Sequence, residues 1–524
     1  MACSGSRFRG VKLAGVCLLA ACGGRDGLLL GGPPNAAQSG AGSGGSAGAH
    51  VGSGGASSAG APFQAGAPAQ GGAAPIAGAP SGGAGAGGEP SGGTSGGATA
   101  GAGGSAPVKC MSDATNCPNG FVCAASGFCE TRCESSQQCR PDHFCAVGNA
   151  VCPSKALQIA AGVSDTCVVV ADGSVHCWGD GDAGQLGDGV QMSSTPPVTV
   201  EPIPGGNAGL KQLSLGNSFS CAVTLDGSGS CWGAGDLGQL GIGTLNPSPV
   251  PVALAGLAPM TDRLISIGAG RFHACAVTAA GKVLCWGANF TGQLGDNTQT
   301  SRTSPAPTVP PYLPQAERVV SGDAHACALL GAHQPGAQVV MCWGSDQFGQ
   351  LGWGKHTDSS TPVAVPGATI PGDVIVDISS GANHTCTLYQ SGDLRCWGDN
   401  SEMQVGLGAP FNAYEPVLVQ GLPIGEQPLA LSAGRRNTCV LTDQHSVTCW
   451  GRGAASGAAT ETTPPTRVYG FPTDDVPIAI AAGESHGCAI TQSGSVRCWG
   501  SNNDGALGSP GFDSAISAVA VLPW

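Results

Sequence analysis

A cysteine–tryptophan motif that recurs seven times constrains this chain more than any other feature. Each copy reads Cys-x9-Cys-Trp-Gly, except the fourth, in which a longer connection separates the two cysteines. Successive tryptophans lie 54, 54, 57, 54, 53 and 49 residues apart. A period of this length with short strand-like segments is typical of β-propellers, in which each repeat forms one blade. The copies are Cys167 and Cys177 with Trp178, Cys221 and Cys231 with Trp232, Cys275 and Cys285 with Trp286, Cys327 and Cys342 with Trp343, Cys386 and Cys396 with Trp397, Cys439 and Cys449 with Trp450, and Cys488 and Cys498 with Trp499.

Each repeat is predicted to form four short strands. An apolar segment such as Leu210–Leu215 comes first, the two cysteine strands follow, and a fourth segment such as Val250–Leu254 comes after a Gly-Gln-Leu-Gly turn. In five repeats a glycine such as Gly173 lies one place after the midpoint between the cysteines. This spacing favours a three-residue hairpin loop that ends in a left-handed residue. The fold class is therefore all-β, with a seven-bladed β-propeller over residues 154–524.

The hairpin loop also bears on the chemical state of the paired cysteines. It places the two cysteines of a repeat opposite each other, where Cα atoms lie about 4.5–5.5 Å apart and a disulfide can form. Free thiols packed as small apolar side chains are the alternative. Because every repeat contains both cysteines, we predict seven intra-blade disulfides, from Cys167–Cys177 to Cys488–Cys498.

The fullest copy of the repeat lies at Gly270–Gly295 and carries a family resemblance. It reads Gly-x-x-His-x-Cys-Ala-Val-x-x-x-Gly-x-Val-x-Cys-Trp-Gly-x-Asn-x-x-Gly-Gln-Leu-Gly, which resembles the repeat of the regulator of chromosome condensation family. The resemblance covers Ser154–Trp524, and the paired cysteines are a departure from the eukaryotic version. The family's best-known activities, nucleotide exchange on the Ran GTPase and chromatin docking, have intracellular partners and are not transferred to this chain.

The first 21 residues read as an export signal. Arg7, Arg9 and Lys12 precede a short apolar core, which is too short to span a bilayer. Leu19-Ala20-Ala21-Cys22 then matches a bacterial lipoprotein box, which predicts lipidation of Cys22. Ordinary cleavage after Ala21 is the alternative. Gly23 follows the cysteine in place of aspartate, so we expect a cell-envelope lipoprotein on the outer membrane.

Two different segments separate the signal from the repeats. Residues 22–107 are almost wholly Gly, Ala, Ser and Pro after the cysteine, which predicts a disordered tether. Residues 108–153 contain eight cysteines, which in an exported protein predict four disulfides of unassigned connectivity. Zinc is the alternative, but no Cys-x2-Cys spacing occurs and His143 is the only histidine. The eight are Cys110, Cys117, Cys123, Cys129, Cys133, Cys139, Cys145 and Cys152.

The cysteine count agrees with an oxidising compartment. Of the 25 cysteines, Cys3, Cys17 and Cys22 lie in the signal region, eight in the small segment and fourteen in the repeats. Neither predicted folded part holds an odd cysteine, as expected of an exported protein.

One histidine position recurs just before the first cysteine of the repeat. A ring of histidines at this position could bind a metal. The phenylalanine that takes the same position in blade 2, Phe219, instead favours a role in packing between blades. The residues are His273, His325, His384 and His486, with Asp165, Phe219 and Asn437 in the other blades.

Other motifs that resemble catalytic or ligand sites fit the repeat better. Ser485 stands in a Gly-x-Ser-x-Gly sequence, but a nucleophile elbow needs a strand-to-helix turn, and here a hairpin follows. Asp180-Gly181-Asp182 lacks the glutamate that closes a calcium loop. The seven repeated tryptophans could form an aromatic binding surface, but their strand position favours a structural role between blades. We predict no catalytic residue, no cofactor and no metal.

The formal net charge of −13 argues against nucleic acid as a partner. The predicted function is a tethered, non-catalytic binding scaffold for an envelope or extracellular protein or glycan, with a lipid anchor as its only membrane contact. A polysaccharide-binding or envelope-glycan-processing protein is the alternative. Loops carry the specificity of such scaffolds, and the longest irregular stretches are the predicted contact face: Asn297–Pro314, Leu330–Gln338, Gly408–Gln427 and Gly453–Asp475.

Overall fold

The computed structural model describes residues 153–206, 209–258, 261–309, 315–331, 338–453, 462–509, 511 and 513–524, and the backbone of 121–123 and 129–131. In the eight-cysteine segment, β1 (Phe121–Cys123) pairs antiparallel with β2 (Cys129–Thr131), which sets Cys123 opposite Cys129. The predicted signal, the Cys22 lipidation site, the tether and the rest of that segment lie outside the described residues. None of the described segments forms a helix that could span a membrane.

The repeats form seven antiparallel four-stranded sheets, which confirms the predicted seven-bladed propeller. Every blade uses four consecutive strands, ordered from the innermost strand beside the central channel to the outermost. Blades 1 and 2 are β3 (Ala156–Ala161), β4 (Asp165–Val170), β5 (Val175–Gly179), β6 (Ser194–Thr199), β7 (Leu210–Leu215), β8 (Phe219–Thr224), β9 (Gly229–Gly233) and β10 (Ser248–Ala253). Blades 3 and 4 are β11 (Leu264–Ala269), β12 (His273–Thr278), β13 (Val283–Gly287), β14 (Arg302–Pro307), β15 (Ala316–Ser321), β16 (His325–Leu330), β17 (Val339–Gly344) and β18 (Ser359–Ala364). Blades 5 to 7 are β19 (Ile375–Ser380), β20 (His384–Tyr389), β21 (Leu394–Gly398), β22 (Ala413–Leu418), β23 (Pro428–Ala433), β24 (Asn437–Thr442), β25 (Val447–Arg452), β26 (Thr462–Arg467), β27 (Pro477–Ala482), β28 (His486–Thr491), β29 (Val496–Gly500) and β30 (Ala515–Ala520).

The alternating strand directions give the propeller two different faces. The turn after each innermost strand and the loop before each outermost strand lie on one face, which we call the turn face. In blade 1 these are residues 162–164 and 180–193. The hairpins between the second and third strands and the connections between blades lie on the opposite face, which we call the hairpin face. In blade 1 these are residues 171–174 and 200–209.

The cysteine hairpins have the predicted loop. In blade 1 the amide of Gly173 donates to the carbonyl of Val170 (2.9 Å), the amide of Val170 donates to the carbonyl of Ser174 (3.0 Å), and Gly173 has φ 90°. The left-handed residue closes the bulge that the glycine spacing predicts. Blade 6 has no glycine there, and His445 takes φ 53° in its place.

This register sets the two cysteines of every repeat opposite each other, and the structure joins each pair by a disulfide. The Cα atoms of a pair lie 4.0–4.1 Å apart, slightly closer than the expected range and nearer to the short spacing of non-hydrogen-bonded pairs. All fourteen residues are at most 1% exposed. The longer loop in blade 4 leaves this arrangement unchanged. The seven disulfides are Cys167–Cys177, Cys221–Cys231, Cys275–Cys285, Cys327–Cys342, Cys386–Cys396, Cys439–Cys449 and Cys488–Cys498.

A tryptophan-to-glutamine hydrogen bond joins successive blades and explains the Gly-Gln-Leu-Gly turn. Nε1 of Trp232 donates to the carbonyl of Gln185 in the preceding blade at 2.9 Å, and the same bond to a glutamine carbonyl recurs in blades 3 to 6. The Gln185 side chain accepts the amide of Ala183 (2.9 Å) and so shapes the turn. No larger residue fits at the second glycine of the turn, because a Cβ on Gly187 would lie 2.6 Å from the indole nitrogen of Trp232.

The outermost strands begin earlier than predicted. In blade 2 the strand spans Ser248–Ala253 and not Val250–Leu254. Its pairing with the third strand skips from Ser248 to Val252, so Pro249 and Pro251 fall in the irregular part. Proline cannot donate to a ladder and is tolerated on an edge strand or at a bulge, which allows pairing on both sides of these residues.

The ring closes between blades 7 and 1 without exchange of a strand. The innermost strand of blade 7 packs beside that of blade 1, and the final strand stays on the outer edge of its own blade. Nε1 of Trp178 donates to the carbonyl of Ala506 across the closure, and Nε1 of the last residue, Trp524, donates to the carbonyl of Ser154, both at 2.9 Å. Both ends of the propeller therefore meet on the hairpin face.

Candidate binding surface

Three of the four recurrent histidines bond to the next blade, whereas neither ring nitrogen of His273 has a hydrogen-bond partner among the described residues. Nε2 of His384 lies 2.9 Å from Oγ1 of Thr438 in the next blade, and the Thr438 hydroxyl itself donates to the carbonyl of Gln404 (2.8 Å). The histidine nitrogen must therefore be the donor. His325 and His486 make the same contact, with Thr385 and Thr166.

Burial sets the charge of these histidines. It lowers the pKa of His384 and of His486 to about 4, so the rings are neutral at pH 7. Within the described ranges, no group of three His, Cys, Asp or Glu residues is placed to hold a metal ion. The interblade hydrogen bonds of His325, His384 and His486 support the packing interpretation of this position.

Asp165 occupies the same position in blade 1 but has no matching contact. Its side chain is buried, and neither carboxyl oxygen has a hydrogen-bond partner among the described residues. In blade 6 Asn437 stands at this position, and its Nδ2 donates to the carbonyls of Gly483 (3.0 Å) and Glu484 (2.8 Å). Burial, together with nearby Asp180, raises the pKa of Asp165 well above its usual value.

Ser485 lies in the turn between two strands, β27 and β28, and its carbonyl accepts the amide of Ser501 at 2.8 Å. A strand-to-helix elbow is therefore not present at this serine. The seven repeated tryptophans are 0% exposed, which places them in the core between blades and not on a binding surface.

The four long stretches do not form one contact face. Three of them contain an outermost strand: β14, β22 and β26. The fourth, Leu330–Gln338, connects β16 to β17 at the hairpin face, and its residues 332–337 lie outside the described residues. A proline-rich outermost strand is easily predicted as a loop from the sequence, because its prolines interrupt the residue pattern that is typical of strands.

The turn face carries exposed aromatic side chains, one of which, Phe411, lies in the predicted stretch Gly408–Gln427. Phe290 in blade 3 is 63% exposed, and Phe411 in blade 5 is 73% exposed. Phe348 in blade 4 is also exposed, so three neighbouring blades present an aromatic side chain. The repeat pattern does not mark Phe290 and Phe348, because both occupy variable positions of the repeat.

The loops of blades 3 and 4 that carry these side chains each contact the outermost strand of the next blade. The amide of Asn297 in blade 3 donates to the carbonyl of Ser360 in blade 4 (2.9 Å), and the amide of Gly354 in blade 4 donates to the carbonyl of Tyr414 in blade 5 (3.1 Å). The His356 ring stacks on the Tyr414 ring at a centroid distance of 3.6 Å. Backbone and ring contacts thus make blades 3 to 5 one continuous surface.

A chain of alternating charges borders the turn-face mouth of the central channel. The guanidinium of Arg435 lies 3.1 Å from Asp323 and 3.2 Å from Glu484, and Arg271 lies 3.8 Å from Asp323. Burial opposes the charged form of Arg435, but these two carboxylates raise its pKa. Asp323 and Arg435 are separated by 112 residues in sequence, so this network depends on how the turns of blades 3, 4, 6 and 7 are arranged around the channel.

The fold defines a class of protein: a propeller of consecutive four-stranded blades that are joined by the tryptophan-to-glutamine bond. The chain belongs to the RCC1-like domain family, whose family model matches residues 123–468 and 257–522.

Among curated proteins, the chain is 30% identical to the ultraviolet-B receptor UVR8 of Arabidopsis thaliana over 298 residues, which cover 57% of this chain and 65% of UVR8. The chain spans less than two thirds of the length of the curated relatives that it matches.

Solved structures show the same fold. Human WBSCR16 is 21% identical with a TM-score of 0.58, and the match covers 66% of this chain and 93% of that protein. Prp20p of Saccharomyces cerevisiae, described together with its binding to Gsp1p and histones, is 21% identical with a TM-score of 0.55, over 63% of this chain and 80% of that one.

Proposed function

We propose that this protein is an exported, lipid-anchored scaffold that binds a protein partner through its turn face and catalyses no reaction. The observation that carries the proposal is the position of the two propeller ends. Ser154 and Trp524 are hydrogen-bonded to each other on the hairpin face, which leaves the turn face free.

The order of segments in the chain supports this orientation. The lipoprotein box at Cys22 and the Gly- and Ala-rich tether precede Ser154, so a lipid-anchored chain would be attached to the propeller at the hairpin face. A propeller held in this way presents its turn face away from the attachment point.

The exposed side chains favour a protein over a glycan. Phe290 and Phe411 have no polar group with which to bind sugar hydroxyls, whereas aromatic side chains are enriched in protein interfaces. Arg271 lies over the Phe272 ring at 4.8 Å from its centroid, and Lys355 lies over the Trp353 ring at 4.6 Å. A cation thus already covers one face of the Phe272 ring and one face of the Trp353 ring.

Family membership supports a protein partner in general terms only. Prp20p is described as binding proteins, and no particular partner or activity is transferred here at 21% identity. The net charge of −13 disfavours nucleic acid.

In the test, the full-length protein is used to capture binding partners from a mixture of cell-envelope proteins. Its binding to a glycan array is measured in parallel. The variant Phe290→Ser/Phe411→Ser changes the turn face, and Leu225→Ser/Ile424→Ser is the control on the hairpin face. We expect one captured protein, with affinity reduced about tenfold or more by the turn-face variant alone. Loss of capture in the hairpin-face control alone would show that the partner binds the hairpin face and not the turn face. Glycan binding without protein capture would favour the polysaccharide-binding alternative.

A further inference from the structure

Each innermost strand carries a bulge near its beginning, on the hairpin face. In blade 1 Ala156 pairs with Val170 and Gln158 pairs with Val169, so Leu157 between them has no opposite residue. The same shift occurs in the innermost strand of every blade. The seven bulge residues are Leu157, Lys211, Ile265, Glu317, Val376, Leu429 and Ile478.

Four of these residues form an exposed apolar arc around the hairpin-face mouth of the channel. Val376, Leu429, Ile478 and Leu157 are 46%, 59%, 48% and 60% exposed. They belong to blades 5, 6, 7 and 1, which are consecutive around the ring, and we call them the apolar crescent. Scattered exposed aliphatic residues need no explanation, but a contiguous exposed group marks an interaction surface.

The chain enters the propeller within this arc, between blades 7 and 1. The hydroxyl of Ser154 donates to Asp172 (2.9 Å), and the amide of Ala156 donates to the carbonyl of Gly494 in blade 7 (2.9 Å). In sequence, the last cysteine of the eight-cysteine segment, Cys152, is only two residues before Ser154. The eight-cysteine segment is thus joined to the crescent with no linker between them.

We propose that the eight-cysteine segment, residues 108–153, docks on the apolar crescent. A segment of this size buries only part of its apolar surface, and its sequence includes Phe121, Phe128 and Phe144. A segment tethered within a few residues of a surface meets it at a high effective concentration. Docking would cover apolar surface on both partners and fix the orientation of the stalk on the hairpin face.

The test places a photo-crosslinking benzophenone residue at Leu429 in the full-length protein. Leu225 is the matched control, because it also lies on the hairpin face, is 57% exposed and is outside the crescent. After irradiation, digestion and mass spectrometry, we expect at least about tenfold more crosslinks from position 429 than from position 225 to peptides of residues 108–152 of the same chain.

Three outcomes would overturn the proposal. Crosslinks between two chains at position 429 would show that a second copy covers the crescent. Crosslinks to lipid would assign the surface to a membrane. Equal yields at the two positions, or none, would show that the segment does not dock there.

A second measurement does not depend on the crosslinker. In hydrogen exchange of the full-length protein, Leu429→Asp/Ile478→Asp should speed exchange in residues 108–152 about tenfold, while Leu225→Asp should not. Both changes affect exposed side chains, so the propeller should melt unchanged. Unprotected exchange of residues 108–152 in the unaltered protein would also overturn the proposal.

Discussion

Replacement of Asp165 by asparagine should stabilise the propeller. The Asp165 carboxyl is buried without a hydrogen-bond partner among the described residues. A Cβ added to Gly162 would lie 2.2 Å from Oδ1 of Asp165 and 3.0 Å from the carbonyl oxygen of Gly216 in the next blade, so that acceptor is close to the carboxyl. The amide of asparagine can donate to it, as Asn437 of blade 6 does to Gly483 of blade 7.

The expected gain follows from the cost of an unsatisfied buried polar group, which is about 1–3 kcal/mol. Asp165→Asn should recover about 1–2 kcal/mol at neutral pH, which corresponds to a rise in melting temperature of about 1–3 °C for a domain of this size. Asn437→Asp is the matched control and should cost a similar amount.

The gain should depend on pH with a defined sign. Burial and nearby Asp180 raise the pKa of Asp165 in the folded state. Below the unfolded-state pKa of about 3.9 the carboxyl is protonated in both states and does not destabilise the fold. Because the folded-state pKa is raised, the carboxyl destabilises the fold increasingly as pH rises from the unfolded-state pKa through the folded-state pKa. The difference between Asp165→Asn and the unaltered protein should therefore be small in acid and grow towards neutral pH.

Calorimetry from pH 4 to pH 8 measures this difference. An Asp165→Asn variant that is less stable than the unaltered protein, or a difference that does not change with pH, would refute the argument. A second result against it would be an Asn437→Asp variant that melts normally at pH 8.

Five further variants test other parts of the molecule. Replacing Cys386 and Cys396 together by alanine should lower the free energy of unfolding by about 2–3 kcal/mol, measured by chemical denaturation. Trp286→Phe should cost about 1–2 kcal/mol through loss of the 2.9 Å bond to Gln239, and Trp286→Ala about 3–5 kcal/mol; equal costs would show that the hydrogen bond and not the packing dominates. Gly292→Ala should cost about 1–3 kcal/mol, because Gly292 has φ 81° and the new Cβ would lie 2.5 Å from the Cα of Ser360. Cys22→Ala should release the protein from the membrane fraction or block its maturation, and unchanged fractionation would contradict lipidation.

The blades and their hairpins could be predicted from the sequence because both depend on local patterns. The Cys-x9-Cys spacing and the glycine at Gly173 determine the loop, and the loop determines which residues face each other. The tryptophan position repeats in every blade, so its burial follows from one rule. His445 shows the limit of this reasoning, because it takes the left-handed conformation without a glycine signal.

The surfaces could not be predicted in the same way because they depend on contacts between distant residues. Arg435 and Asp323 come from blades 6 and 4 and meet only in the assembled propeller. The missing hydrogen bonds of the Asp165 side chain among the described residues become apparent only by comparison with its equivalent, Asn437. The apolar crescent depends on a bulge that no sequence pattern marks. The sequence predicts a start for each outermost strand that is a few residues too late, because prolines interrupt the strand pattern.

We propose an exported lipoprotein whose propeller carries a disulfide in every blade. Mass spectrometry of the protein isolated from its own membranes, digested without reduction and after alkylation, tests both parts at once. The account predicts a diacylglyceryl group on Cys22 and seven intra-blade pairs, from Cys167–Cys177 to Cys488–Cys498. An intact amino-terminal signal, or alkylated free cysteines at these fourteen positions, would contradict it.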